Sequence, residues 1–164
     1  MRVAELLRHK GDLVRSVDRH VTVSEAIRLM AAYNVGALLV FEEDAALLEM
    51  ANEGTAWLGS AALLGIISER EIMVGLAKRG ATVLDEQVAE IMVVDVPVVV
   101  PADSIQHAMA VITHVRVRHL AVVNDGKVAG LISIGDVVKS RLNEKIKENA
   151  VLQDIARLSR VLSA

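Results

Sequence analysis

The chain has 164 residues and no cysteine. That excludes disulfides, thiolate nucleophiles and cysteine-based metal sites together, and it fits a reducing, cytosolic setting. Aromatic residues are almost missing as well: Tyr33, Phe41 and Trp57 make up 2% of the chain. A surface that stacks nucleobases has no material here, and the core has to be built from Val, Leu, Ile, Ala and Met. There is no basic excess, since the formal net charge is -3. A protein that lives on phosphate backbones would carry one, so nucleic-acid binding is disfavoured. The longest weakly polar run, AWLGSAALLGII, is shorter than the ~20 apolar residues of a membrane helix. The opening MRVAELLRHK is too charged for a secretory signal. These absences lead to the expectation of a soluble, cytoplasmic chain.

What is present is aliphatic. Hydrophobic residues make up 53% and charged residues 24%, enough for one compact domain or two small ones. The main feature is a repeat. GIISEREI at Gly65 to Ile72 returns as GLISIGDV at Gly130 to Val137. VAELL at Val3 to Leu7 matches VAEIM at Val88 to Met92. VTVSEAIRLM, from Val21, falls against DSIQHAMAVI, from Asp103, and VGALLVF, from Val35, against VRHLAVV, from Val117. Internal repeats of this kind decide the architecture before any other reading.

Each copy reads β-α-β-β-α. A short apolar strand, LVRSV or VPVVV, comes first. A helix then starts at a cap, Thr22 with Glu25 or Asp103 with Gln106, in capping-box spacing. Val23, Ala26, Ile27, Met30 and Ala31, and in the second copy Ile105, Ala108, Met109 and Ile112, put one helix face into a core. ALLVF or LAVV follows as a strand. Asn124-Asp125-Gly126 then marks a hairpin in the second copy. The expected fold class is α+β: two repeats related by a pseudo-two-fold axis, sheets packed together, with a C-terminal helix. Residues 1–82 form repeat 1, with an insertion at about 42–64. Residues 83–142 form repeat 2, and residues 143–164 a helix that packs on its own module or on a second copy. A unit of about 60 residues is marginal alone, and pairing two of them creates equivalent clefts suited to ligands.

The repeated phrase has two readings. Ser-x-x-Glu before an apolar run is a capping box. The same geometry suits a nucleotide: helix-terminal N–H groups and the serine hydroxyl for a phosphate, and a carboxylate for the two hydroxyls of a ribose. Copy one has Ser68 and Glu71. Copy two has Ser133 and the shorter Asp136, with Arg116, Arg118 and His119 near its mouth where copy one has Asn34, Gly36 and Ala37. Guanidinium groups bind phosphate bidentately. The expected site is therefore in copy two, with a weaker one in copy one at Ser68, Glu71, Gly36 and Ala37.

The twin phrases, and VRVRHLAVVNDGKVAGLISIGDVVKSRL above all, resemble tandem cystathionine-β-synthase (CBS) domains, the pair called a Bateman module, over roughly Val3 to Leu142. The resemblance implies a regulatory module for AMP, ADP, ATP, S-adenosylmethionine or NAD(H), with no required cofactor. It implies that Asp136 takes the ribose hydroxyls, with Ser133 beside the ribose or phosphate. Arg118 and His119 would face the phosphate, Val98, Val99 and Val100 would line the adenine, and Arg70 would reach a phosphate across the cleft. It also implies a flat homodimer. Glu71 departs from the family's usual aspartate. No nucleophile elbow or oxyanion motif is present, and His107 and His114 lie about 10 Å apart along a helix and read as surface residues. The expectation is a non-enzymatic sensor read by an unidentified protein partner. The rivals are a module with empty clefts, and a weak nucleic-acid binder using the Arg116–Arg118 edge.

Overall fold

Strand alternation builds this molecule. The computed structural model describes residues 1–10, 14–42 and 63–162. The first half contains β1 (Ser16–Asp18), α2 (Val23–Tyr33), β2 (Ala37–Phe41), β3 (Gly65–Ser68) and α3 (Glu69–Arg79), preceded by α1 (Val3–Lys10). Two short 3-10 helices, Gly80–Asp85 and Val88–Glu90, lead to β4 (Val98–Val99), α4 (Ile105–Val115), β5 (His119–Asn124), β6 (Lys127–Ser133) and α5 (Ile134–Leu162). The strands form two three-stranded sheets, β1-β2-β3 and β4-β5-β6. In each, the first pair is parallel and the second antiparallel, with Val17 opposite Val40 and Val99 opposite Val122, then Leu38 opposite Ile67 and Leu120 opposite Ile132. This is the expected β-α-β-β-α order, twice.

Side chains on a strand point alternately to opposite faces, and here both faces are apolar. Leu38, Val40 and Ile67 face the helices of the first half, together with Val23, Ala26 and Met30. Ala37, Leu39, Phe41 and Ile66 face the other way and meet Ala121 and Val128 of the second sheet. Leu120, Val122 and Ile132 face α4 and the start of α5. The sheets thus pack on each other, and the helices lie outside.

The two VAE segments have exchanged halves. Val3 and Leu6 of α1 are buried with Ile105, Ala108 and Leu120 of the second half. Val88 is buried with Val17, Val23 and Leu38 of the first. The backbone bonds correspond one to one. Val3 N–H donates to Asp103 O (2.9 Å) and Ile105 N–H to Met1 O (3.2 Å), just as Val88 N–H donates to Val21 O (2.9 Å) and Val23 N–H to Glu86 O (2.9 Å). The repeated glycines mark where these segments pass. A Cβ on Gly130 would meet Leu7 Cδ2 at 2.6 Å, and one on Gly65 would meet Val93 O at 2.6 Å and Met92 Sδ at 2.9 Å.

Two local expectations need adjustment. Thr22 caps α2 as expected, accepting from Glu25 N–H, but α4 is capped by Ser104, accepting from His107 N–H at 3.0 Å, and not by Asp103. Asp103 instead accepts from Val100 N–H (2.8 Å), closing the preceding turn. A cap needs the donor two or three residues ahead, and Ser104 stands in the repeat where Thr22 does. The terminal helix is not separate: α5 runs unbroken for 29 residues, since neither glycine nor proline follows Gly135 within it. The hairpin turns at Asp125 and Gly126, both with positive φ (49° and 75°), the primed turn that matches strand twist. DAALLEMANEG of the insertion lies outside the described residues.

Candidate functional site

Both readings of the repeated phrase meet at the start of α5. Ser133 ends β6, and its hydroxyl accepts from Asp136 N–H at 3.2 Å. Asp136 Oδ2 accepts in return from Ser133 N–H and from Ser133 Oγ, both at 2.8 Å. That reciprocal pair is a capping box with aspartate in the third position. Copy one is built alike: Ser68 Oγ accepts from Arg70 N–H at 3.3 Å and donates to Glu71. Capping and ligand binding are compatible, because each carboxylate has a second oxygen.

The copies differ in what reaches the carboxylate. Lys10, at the end of α1, donates to Asp136 Oδ2 at 2.6 Å and to Leu131 O at 2.9 Å. The exchange of VAE segments causes this, because it carries the C-terminal end of α1 across to β6 and α5. The alignment of VAELL with VAEIM puts Asp95 where Lys10 stands, so copy one has an acid in place of the cation.

A cavity of about 250 Å³ opens between the halves at this point. Asn34 to Ala37 line it from the first half. His119, Ala129 to Leu131, Ser133 and Asp136 line it from the second, and Leu7, Lys10, Val14 and Arg15 close it from the N-terminal segment. Ser133, Asp136 and His119 of the predicted copy-two set thus come together. Gly36 and Ala37, predicted for the copy-one site, line this same cavity. The reason is the face-to-face packing, which sets the loop after α2 opposite the junction of β6 and α5. Ala37 nonetheless pairs with Ser68 across β2 and β3, as His119 pairs with Ser133 across β5 and β6.

The other predicted residues stand outside that lining. Arg116 is the left-handed residue (φ 60°) that ends α4, as Asn34 (φ 53°) ends α2. Arg118 is exposed, and its carbonyl accepts from Ile134 N–H at 2.8 Å. Arg70 is exposed on α3, with its guanidinium 4.0 Å from Glu71. Val98 and Val100 are exposed and Val99 is buried in the second core. Ser68 and Glu71 are largely covered. Sequence reasoning missed Lys10 and Arg15, and it named Asn34 at the copy-one mouth without assigning it to the site. Neither lysine nor arginine carries a local signal there; only the mismatch of Lys10 with Asp95 within an otherwise close repeat set it apart.

The electrostatics follow from packing. Burial alone pushes the Asp136 carboxyl up, but the hydrogen bonds from Lys10 and Ser133 and the Lys10 charge outweigh it, and its pKa lies below the ordinary 3.8. Burial also pushes the His119 imidazole below its ordinary 6.5, and Lys10 adds to this, against an opposing pull from Glu71, Asp136 and Glu69. His119 is therefore a neutral donor and acceptor at neutral pH. Arg15 stacks its guanidinium 3.9 Å from the centroid of the Tyr33 ring at the cavity's edge.

Paired sheets with a serine and a carboxylate at each strand-to-helix junction define a duplicated α+β module, and its family can be stated. The chain belongs to the CBS domain family, whose model matches residues 3–50 and 88–143. The mitochondrial CBS domain-containing protein CBSX3 of Arabidopsis thaliana is 31% identical over 138 residues, which cover 80% of this chain and 60% of the relative. The chain thus spans less than two thirds of that relative's length. Among solved structures, a CBS-domain-containing protein of Agrobacterium tumefaciens is 32% identical, with a TM-score of 0.74, over 85% of this chain and 92% of its own. A CBS domain protein of Pyrobaculum aerophilum, complexed with AMP, is 25% identical, with a TM-score of 0.64, over 83% and 89%. Among the described residues, no helix is long and apolar enough to cross a membrane.

Proposed function

We propose that this chain is a non-enzymatic, cytoplasmic regulatory module that binds an adenosine-containing ligand in the cleft at Asp136 and passes the signal to a partner protein. One observation carries the reading. Asp136 lines a cavity shared by both repeats, and it keeps one carboxylate oxygen, Oδ1, to which no described residue donates. A ribose hydroxyl fits that acceptor. The AMP complex of the relative from Pyrobaculum aerophilum supports the ligand class. Ligand contacts from both halves would bias the angle between them by their differential affinity for the two arrangements. Ser68 and Glu71 are proposed as a weaker second site. Among the predicted phosphate contacts, His119 is kept in the main cleft, and Arg116, Arg118 and Arg70 are left to the approach path.

A homodimer belongs to the same proposal. Ile146, Val151, Leu152 and Ile155 are all exposed along α5, an apolar face suited to a second copy.

The test is a calorimetric titration with AMP, ADP, ATP, NAD+, NADH and S-adenosylmethionine. AMP is expected to bind. Asp136→Ala removes a charge-assisted hydrogen bond of about 1.5–3 kcal/mol, so its affinity should fall about tenfold to hundredfold. Binding of no ligand would favour a purely structural module, and unchanged affinity in Asp136→Ala would move the ligand elsewhere.

A further inference from the structure

Arg116 and Arg118, the cations that the sequence offered for a phosphate, do not line the cavity, so any anion bound there needs a different counter-charge. We propose that Lys10 is the anion-receiving group of the cleft, which makes the module selective for a phosphorylated nucleoside over the bare nucleoside. The inference rests on the reading of the cleft as a nucleoside site.

The argument is one of valence. A lysine ammonium has three N–H donors. Lys10 uses one on Asp136 Oδ2 and one on Leu131 O, at 2.6 and 2.9 Å, and the third has no acceptor among the described residues. Asp136 in turn keeps Oδ1. Both residues line the cavity, and the neighbouring hollow between α1 and α5 as well, so the ion pair carries one open donor with positive charge beside one open acceptor where the two meet. A nucleotide presents the complement, an anionic oxygen and a hydroxyl joined through one sugar. The pair is anchored to the backbone of β6 through Leu131 O and Ser133 N–H, which holds both groups in place for a ligand.

The first repeat is an internal control. Its serine also caps the helix and bonds the carboxylate three residues on, but Asp95 stands at the position equivalent to Lys10 and Glu71 is largely covered. A site there lacks the lysine, in keeping with its place as the weaker of the two. Lys10 also belongs to the segment that crosses between halves, so a phosphate held by it would tie α1 to the state of the cleft.

The experiment compares AMP with adenosine by calorimetry, on the wild type, Lys10→Met and Lys10→Arg. Lys10 sits at a helix end with its side chain 38% exposed, and the methionine keeps the stem. Wild type should bind AMP more tightly than adenosine. In Lys10→Met, the ratio of AMP to adenosine affinity should fall about tenfold to hundredfold, the loss of one charge-assisted bond that only the phosphorylated ligand makes. Lys10→Arg should retain most of the preference, because it retains the charge. Equal wild-type affinity for AMP and adenosine would overturn the proposal while leaving the nucleoside site standing. So would a Lys10→Met protein that loses both ligands equally or keeps its preference for AMP. A wild type that binds neither ligand would overturn the nucleoside reading and this proposal with it.

Discussion

The two glycines of the repeated phrase should not tolerate alanine equally. A Cβ on Gly65 would lie 2.6 Å from Val93 O and 2.9 Å from Met92 Sδ, short of ordinary contact at about 3.5 Å. The carbonyl cannot step aside freely. It accepts from Ile66 N–H at 3.0 Å, while Val93 N–H donates to Ile66 O at 2.9 Å. Moving it costs about 1–3 kcal/mol of overpacking and weakens two backbone bonds of about 1 kcal/mol each. Relief of the glycine's conformational entropy returns about 0.5–1 kcal/mol. Gly65→Ala should therefore destabilise by about 2–4 kcal/mol, and at about 2–4 °C per kcal/mol for a chain of this size lower Tm by about 5–15 °C. Gly130→Ala meets only the end of a side chain, Leu7 Cδ2 at 2.6 Å. Leu7 is half-buried and can rotate, so the net cost should be at most about 1 kcal/mol. The assay is urea unfolding of both variants beside the wild type, checked by calorimetric melting. A Gly130→Ala protein weaker than Gly65→Ala would refute the ranking, and two variants of wild-type stability would refute the close passage of both segments from which the argument starts.

Three other outcomes can be checked with the same equipment. His119 has a folded pKa below 6.5, so the unfolded chain binds its proton first: stability is fully present above about pH 6.5 and falls as the pH drops toward the folded pKa. His119→Gln should flatten the unfolding free energy between about pH 7 and 5, and an unchanged slope would show that His119 titrates normally. Ser104→Ala should cost about 1 kcal/mol by chemical denaturation, more than Gln106→Ala on the exposed face of α4; the reverse order would reject Ser104 as the cap. Replacing Leu152 and Ile155 together with lysine should halve the mass seen by light scattering without lowering helicity, and a wild type already monomeric would reject the α5 dimer.

Much of the fold was readable because its signals are local. The Thr22 cap spans three residues, the Asp125-Gly126 turn two, and strand alternation has a period of two, so each leaves a trace in a short window. The repeat doubled every such signal, and it also showed that one phrase would be used at two junctions. The Asp103 expectation failed locally too: Asp103 and Ser104 are both good caps, and only backbone geometry chose between them.

Amino-acid order alone settled that the chain is a duplicated β-α-β-β-α unit with an aliphatic core, and that Ser133 ends a strand with Asp136 in the first turn of the helix that follows. Tertiary structure alone decided that α1 leaves its own half, that Gly36 and Ala37 face Asp136, and that Lys10 rather than Arg118 meets that carboxylate. Lys10 and Asp136 are 126 positions apart. A contact over that separation is chosen by how two sheets pack and which segment crosses between them, and no periodicity or short motif encodes it.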